Sequence, residues 1–216
     1  MRMAVGARRR DLLRALPLLG TGVALPGCIG GSPPPPRLFY LNPLAEPPGG
    51  VSPVDWSLVV ELPQTTPALN TTRIVQVVGA NQFNYYDDGE WGDQASVMVQ
   101  AVVIRSFERS GAIPVVVNEL QFVRPDFRLA SSLAPFFARG AVGSAPVAAV
   151  GLQVELVQSR GRQVVASRSF EASAQAASAE LDAIVAAFDE ATHQVLRELI
   201  PWTLDAGAAA WSPNRS

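Results

Sequence analysis

The chain has no lysine, one histidine and one cysteine among its 216 residues. A lone Cys28 excludes an internal disulfide and any multi-cysteine metal site, which leaves a buried thiol, a nucleophile or an attachment point. A lone His193 excludes a histidine-based zinc site. It stands one turn from Asp189 and Arg197 on the polar side of the last amphipathic segment, as either a general base or a solvated surface residue. The missing lysine reads as coding bias, since arginine supplies all the basic charge. The hydrolase elbow G-x-S-x-G is absent, and "GAVGSAP" (Gly140–Pro146) only approximates it. Neither a Walker-type phosphate loop nor G-x-G-x-x-G occurs. No apolar run reaches the roughly 20 residues of a spanning helix.

What is present begins at the N-terminus. Arg8, Arg9 and Arg10, with Arg2 and Arg14, precede the short apolar stretch Ala15–Leu25, the order of an export signal. Leu25-Pro26-Gly27-Cys28 follows and resembles a bacterial lipobox, with an aliphatic residue three places before the cysteine and a small one directly before it. This favours Cys28 as a lipidated first residue of the mature chain over a buried thiol. Arg9-Arg10-Asp11-Leu12-Leu13 resembles the twin-arginine signal, and export by that route or by the general secretory route stays open. Ile29 rather than aspartate after the cysteine favours the outer membrane.

Seventeen basic residues less five in the first 27 leave twelve, and nineteen acids less Asp11 leave eighteen, so the remainder carries a net charge of −6. No basic cluster provides the footprint of a nucleic-acid binder. Residues 1–27 read as signal, 28–36 ("CIGGSPPPP") as a tether, 37–204 as one domain and 205–216 as a flexible tail. Flexible at its glycines and stiffened by its prolines, the nine-residue tether reaches at most about 30 Å. Roughly 170 residues suffice for one self-supporting core.

Strands are expected at Arg37–Leu41, Trp56–Leu62, Arg73–Gly79, Phe83–Tyr86, Ile113–Val117 and Phe127–Phe137, each rich in β-branched or aromatic residues. "VAAVGLQVELVQ" and "RQVVASRSFEA", joined at Ser159-Arg160-Gly161, form a hairpin. A first helix is expected to start at Asp88, with Glu90 and Asp93 in its first turn, and to end near Ser110 before Gly111. A second runs from Ser178 to about Ile200, where Pro201 stops it. Two amphipathic helices on a mostly antiparallel or mixed sheet make a single α+β domain.

The carboxylates Asp87, Asp88, Glu90 and Asp93 surround Trp91. They read as a glycosidase pair, a calcium site or, more simply, helix-capping residues. Asn70-Thr71-Thr72 has the form of a glycosylation triplet, without meaning in a bacterial lipoprotein. The sequence offers no catalytic residue, no metal site and no cofactor motif, the pattern expected of a binding or assembly protein.

The lipobox cysteine, the short tether, "FYLNP", "WSLVVELPQTTPALNTTRIV" and "FNYYDDGEWGD" follow one another in an order that resembles the ABC-type transport auxiliary lipoprotein family, the PqiC-like proteins. Tyr40, then Leu69, Arg73 and Ile74, then Tyr85, Tyr86 and Trp91 carry the match, which is strongest over residues 56–111. The resemblance implies an adaptor beside an MCE-type (mammalian cell entry domain) lipid transporter. Its partners would be an MCE-domain protein with its permease and ATPase, and a membrane through the lipid on Cys28. Self-association into a homo-oligomer stays open. Phe83, Tyr85, Tyr86 and Trp91 are the candidate partner-binding residues, because aromatics are enriched at interface centres. The alternative for Trp91 and one tyrosine is core packing. Phe136-Phe137 reads as core, or as a pair facing acyl chains.

Overall fold

The computed structural model describes residues 35–46, 48–121 and 124–212. Among the described residues, eight strands and two helices follow in the order β1 (Arg37–Phe39), β2 (Leu58–Val60), β3 (Arg73–Val78), β4 (Gln82–Trp91), α1 (Ala95–Ser110), β5 (Val116–Asn118), β6 (Phe127–Arg139), β7 (Val147–Gln158), β8 (Gln163–Gln175) and α2 (Leu181–Ala210). All strands join one mixed sheet. The expected hairpin is its backbone: β7 pairs antiparallel with β8 and, on its other side, with β6. The free edge of β6 is shared. Its first residues pair in parallel with β2, which pairs with β5, and its last two pair in parallel with β3. From β3 the sheet continues through antiparallel β4 to parallel β1.

The helices pack on one side of this sheet over a core that includes Trp56, Trp91, Phe107, Phe127, Phe136 and Phe188. Trp91 sits edge-on to Phe188 at 5.2 Å and tilted against Phe136 at 5.7 Å. Met98, Val99, Val102, Val103 and Phe107 form the buried stripe of α1, and Gly111 ends it at φ 64°, donating its N–H to the Glu108 carbonyl. An aliphatic stripe at helical spacing therefore outweighs the low intrinsic helicity of its valines.

Three expectations need correction. Asp87–Trp91 does not begin a helix. It is the end of β4, because β1 pairs with Gly89–Trp91 and the Trp91 N–H donates to the Thr72 carbonyl at 2.6 Å. That pairing carries Trp91 into the core, and α1 starts four residues later at Ala95 without an acid in its first turn. Its cap comes from far away: Asn70 Oδ1 accepts from the Ser96 backbone N–H at 3.3 Å and from Ser96 Oγ at 2.8 Å.

The second correction concerns Pro201, which lies inside α2. Proline in a helix interior costs about 3 kcal/mol. The turns beyond it offset that cost by burial: Trp202 meets Phe170 edge-on at 5.4 Å, and Thr203 and Leu204 are buried. Gly207 lies so close to the Trp56 indole that any Cβ there would collide with it. One buried leucine and one aromatic pair contribute roughly 2–4 kcal/mol between them. The segment assigned to a tail is accordingly helical as far as Ala210.

The third is the reading of Phe136-Phe137 as a pair with one fate. Phe127, Leu129 and Leu133 point to the core, but a register shift between Leu133 and Phe136 reverses the parity. Phe136 then turns inward and Phe137 outward.

Candidate docking face

The side of the sheet away from the helices has two halves of different chemistry. On β6, β7 and β8 the outward positions include Ser132, Gln153, Glu155, Ser167, Ser169, Glu171 and Ser173, all exposed; Gln153 pairs with Ser132 on one side and Ser169 on the other, and Glu155 pairs with Ser167. This half is small, polar and solvated.

The other half, on β1, β4, β3 and the end of β6, is aromatic. Val75 pairs with Tyr85, Val77 with Phe83, and Val77 also with Arg139. Since side chains alternate across a strand, this register brings Phe83, Tyr85, Phe137, Arg73 and Arg139 to one face. The Arg73 guanidinium lies 3.9 Å from the Tyr85 ring centroid and the Arg139 guanidinium 5.1 Å from that of Phe137. Phe83 is 48% exposed, while Val75 and Val77 are buried here without belonging to the helix-side core. Arg73 also approaches Asp87 at 3.9 Å, an exposed pair that contributes little stability.

Of the four aromatic residues named from the sequence, the fold therefore brings together two, Phe83 and Tyr85. Tyr86 points to the core side, where its hydroxyl is buried without a partner and burial raises its pKa. Trp91 is 1% exposed. Cys28, Arg9 and Arg10 lie outside the described residues. Sequence reasoning missed Arg73, Arg139 and the outward Phe137, because only the β3–β6 pairing and the shift in β6 put them beside Phe83. The one local signal was Phe137-Ala138-Arg139, an aromatic and an arginine two places apart and so on the same side of a strand.

The acidic cluster disperses. Glu90 accepts from Thr72 Oγ1 at 3.3 Å, and Asp93 accepts from the Gln94 N–H at 2.7 Å. Among the described residues no group of three or more His, Cys, Asp or Glu side chains is arranged to hold a metal. His193 is not a free side chain: its Nε2 lies 2.9 Å from the Asn42 carbonyl oxygen. Asp189 accepts from the Asn42 backbone N–H at 2.8 Å and from Asn42 Nδ2 at 2.7 Å. Leu44 N–H donates to Ser106 Oγ at 3.0 Å. The polar stripe of α2 thus straps down the segment that follows β1.

What the fold and site define is an α+β domain with helices over one side of its sheet and an aromatic, arginine-edged face on the other. The chain belongs to the family of ABC-type transport auxiliary lipoprotein components, whose model it matches over residues 41–199. That family is an auxiliary transport class rather than an enzyme class. An uncharacterised protein of Bradyrhizobium diazoefficiens is 32% identical over 149 residues, covering 68% of this chain and 39% of that protein. The chain thus spans well under half the length of this relative. A crystal structure of a Xanthomonas campestris protein is similar at a TM-score of 0.74 and 29% identity, covering 81% of this chain and 98% of that one. A second solved structure, of an uncharacterised protein, shares the fold at a TM-score of 0.59 and 13% identity, covering 77% of this chain and 97% of that one. No helix among the described residues is long and apolar enough to cross a membrane.

Proposed function

We propose that this protein is the lipid-anchored, periplasm-facing adaptor of an MCE-type ABC lipid-transport system, held at the outer membrane through Cys28. The observation that carries the proposal is the family match, which spans almost the whole folded domain, from Leu41 to Leu199. In this reading the domain works as a mount. The short tether keeps it at one membrane, and the partner that crosses the periplasm comes to it. The docking centre is Phe83 and Tyr85 with Phe137, edged by Arg73 and Arg139. Tyrosine and arginine are enriched among interface hot spots, where they fill well-packed, desolvated pockets, and aromatic rings bury large area. Trp91 and Tyr86 support this face from within the core and do not touch the partner.

The test is affinity recovery of the lipidated protein from detergent-solubilised envelopes, with Cys28→Ala as the unanchored control. The expected result is co-recovery of an MCE-domain protein with its permease and ATPase. Recovery of the protein alone, or with cell-wall machinery, contradicts the proposal and supports a different envelope lipoprotein.

A further inference from the structure

Leu38 and Tyr40 are each 59% exposed, and they stand where the tether joins the domain. They alternate with Phe39 and Leu41, which point to the core. Neither is a loose side chain at a frayed end. Leu38 is held in the β1–β4 ladder opposite Glu90. The Tyr40 ring lies over Gly92, where any Cβ would overlap it. Immediately after them the Asn42 strap fixes the chain to Asp189 and His193. Two apolar side chains are thus mounted rigidly in solvent, and folding alone gives no reason for this. Isolated exposed apolar residues are common. Two on one face, locked on both sides and placed at the tether, are a built feature.

The geometry points to a bilayer-resting edge: Leu38 and Tyr40 contact the surface of the membrane that holds the lipidated Cys28. This deepens the adaptor reading and rests on its lipid anchor. The occupant follows from where the chain outside the described domain ends. Nine residues, Cys28–Pro36, separate the anchor from β1 and span at most about 30 Å. An anchored domain therefore spends its time against the bilayer, and β1 is the part of it closest along the chain. Tyrosine beside an aliphatic residue suits the water–lipid boundary, with its ring in the apolar layer and its hydroxyl among headgroups.

The charge around this edge selects the lipid. Asp87, Asp88 and Asp93 are exposed and Glu90 half-buried, against Arg73 and the Arg37 already paired to Asp182 at 2.6 Å. An acidic border is repelled by an anionic surface and suits the ammonium headgroup of phosphatidylethanolamine. The same geometry separates the two ends of the face. Along β3, Val77, the partner of Phe83, lies four residues from Arg73, which pairs with Glu90, the β4 partner of Leu38; that is about 13 Å at the rise of a strand. With Leu38 and Tyr40 at the bilayer, Phe83 and Phe137 stand away from it, where a periplasm-crossing partner arrives.

Because Cys28 is the sole cysteine and is acylated in this reading, single cysteines label selectively. Leu38→Cys, Tyr40→Cys, Phe83→Cys and Ser169→Cys in the full lipidated chain, carrying an environment-sensitive fluorophore, would be reconstituted into phosphatidylethanolamine vesicles with a minor share of phosphatidylglycerol. Lipid-borne spin-label quenchers then report contact, and circular dichroism checks each fold. The expected result is severalfold stronger quenching at positions 38 and 40 than at 83 and 169, weakening as the phosphatidylglycerol share rises. Quenching at 38 and 40 no stronger than at 169 overturns the proposal. Equal quenching at 83 also overturns it, since the whole face would then lie on the membrane. Protection of 38 only after an MCE-domain protein is added makes the edge a protein contact and overturns it too. Vesicle flotation of the same samples separates the two readings: chains that fail to float remove the anchor itself, whereas floating chains with an unquenched Leu38→Cys remove only the resting edge.

Discussion

Phe136 and Phe137 are neighbours in the chain with opposite fates. Phe136 is 1% exposed and packs at 5.1 Å against Phe188 of α2, whereas Phe137 lies on the uncovered side under the Arg139 guanidinium. The contrast extends to the whole sheet. On the helix side, aromatic residues hold the fold together through close packing. On the other side, aromatics and arginines gather at one half while serines, Gln153 and two glutamates occupy the other, although both halves meet the same solvent. A sheet face that served only solvation would need no such division. The difference supports the proposed division, in which stability resides on one side of the sheet and association on the other.

That separation can be broken by substitution. Phe136→Ala leaves a cavity between Trp91 and Phe188 and is expected to cost about 3–5 kcal/mol in denaturant unfolding. Asn70→Ala removes the remote cap of α1 and should cost about 1 kcal/mol by the same measurement, with far-UV circular dichroism otherwise unchanged. Phe83→Ser, on the open face, should change stability by no more than about 0.5 kcal/mol. If Phe83→Ser destabilises as much as Phe136→Ala, the two sides of the sheet do not divide their work as described.

The smallest effect concerns the clip from β1 to α2. Arg37 hydrogen-bonds Asp182 at 2.6 Å, which lowers the Asp182 pKa and raises that of Arg37. A depressed carboxylate pKa contributes stability above its unfolded value and loses it as pH falls through the folded value. Asp182→Asn should therefore lower Tm slightly at neutral pH, and the gap to the parent should close in acid, near and below the ordinary aspartate range. Both groups are exposed, so a large effect at neutral pH would contradict this account of the clip.

Much of the fold was legible because it is encoded locally. The β7–β8 hairpin is written in alternation and a Gly-containing turn, and the stripe of α2 in its 3.6-residue period. The failures share a physical cause, which is a distant partner outweighing a local signal. Asp87-Asp88-Gly89-Glu90 has the composition of a helix start, yet β1 claims that backbone for the sheet. Pro201 has the chemistry of a helix end, yet Trp202, Leu204 and Gly207 have core positions to fill. The aromatic face was half legible. Phe83 and Tyr85 were readable as candidates, while Phe137, Arg73 and Arg139 join them through a register shift and a parallel pairing that no short window encodes.

The most direct test of this division is co-purification from solubilised envelopes of the lipidated protein and its Phe83→Ser/Tyr85→Ser variant, with melting temperature measured on the same preparations. The account predicts that the variant melts with the parent and loses most of the recovered MCE-domain protein. Undiminished recovery of that partner by a folded variant would contradict the assignment of association to the aromatic face.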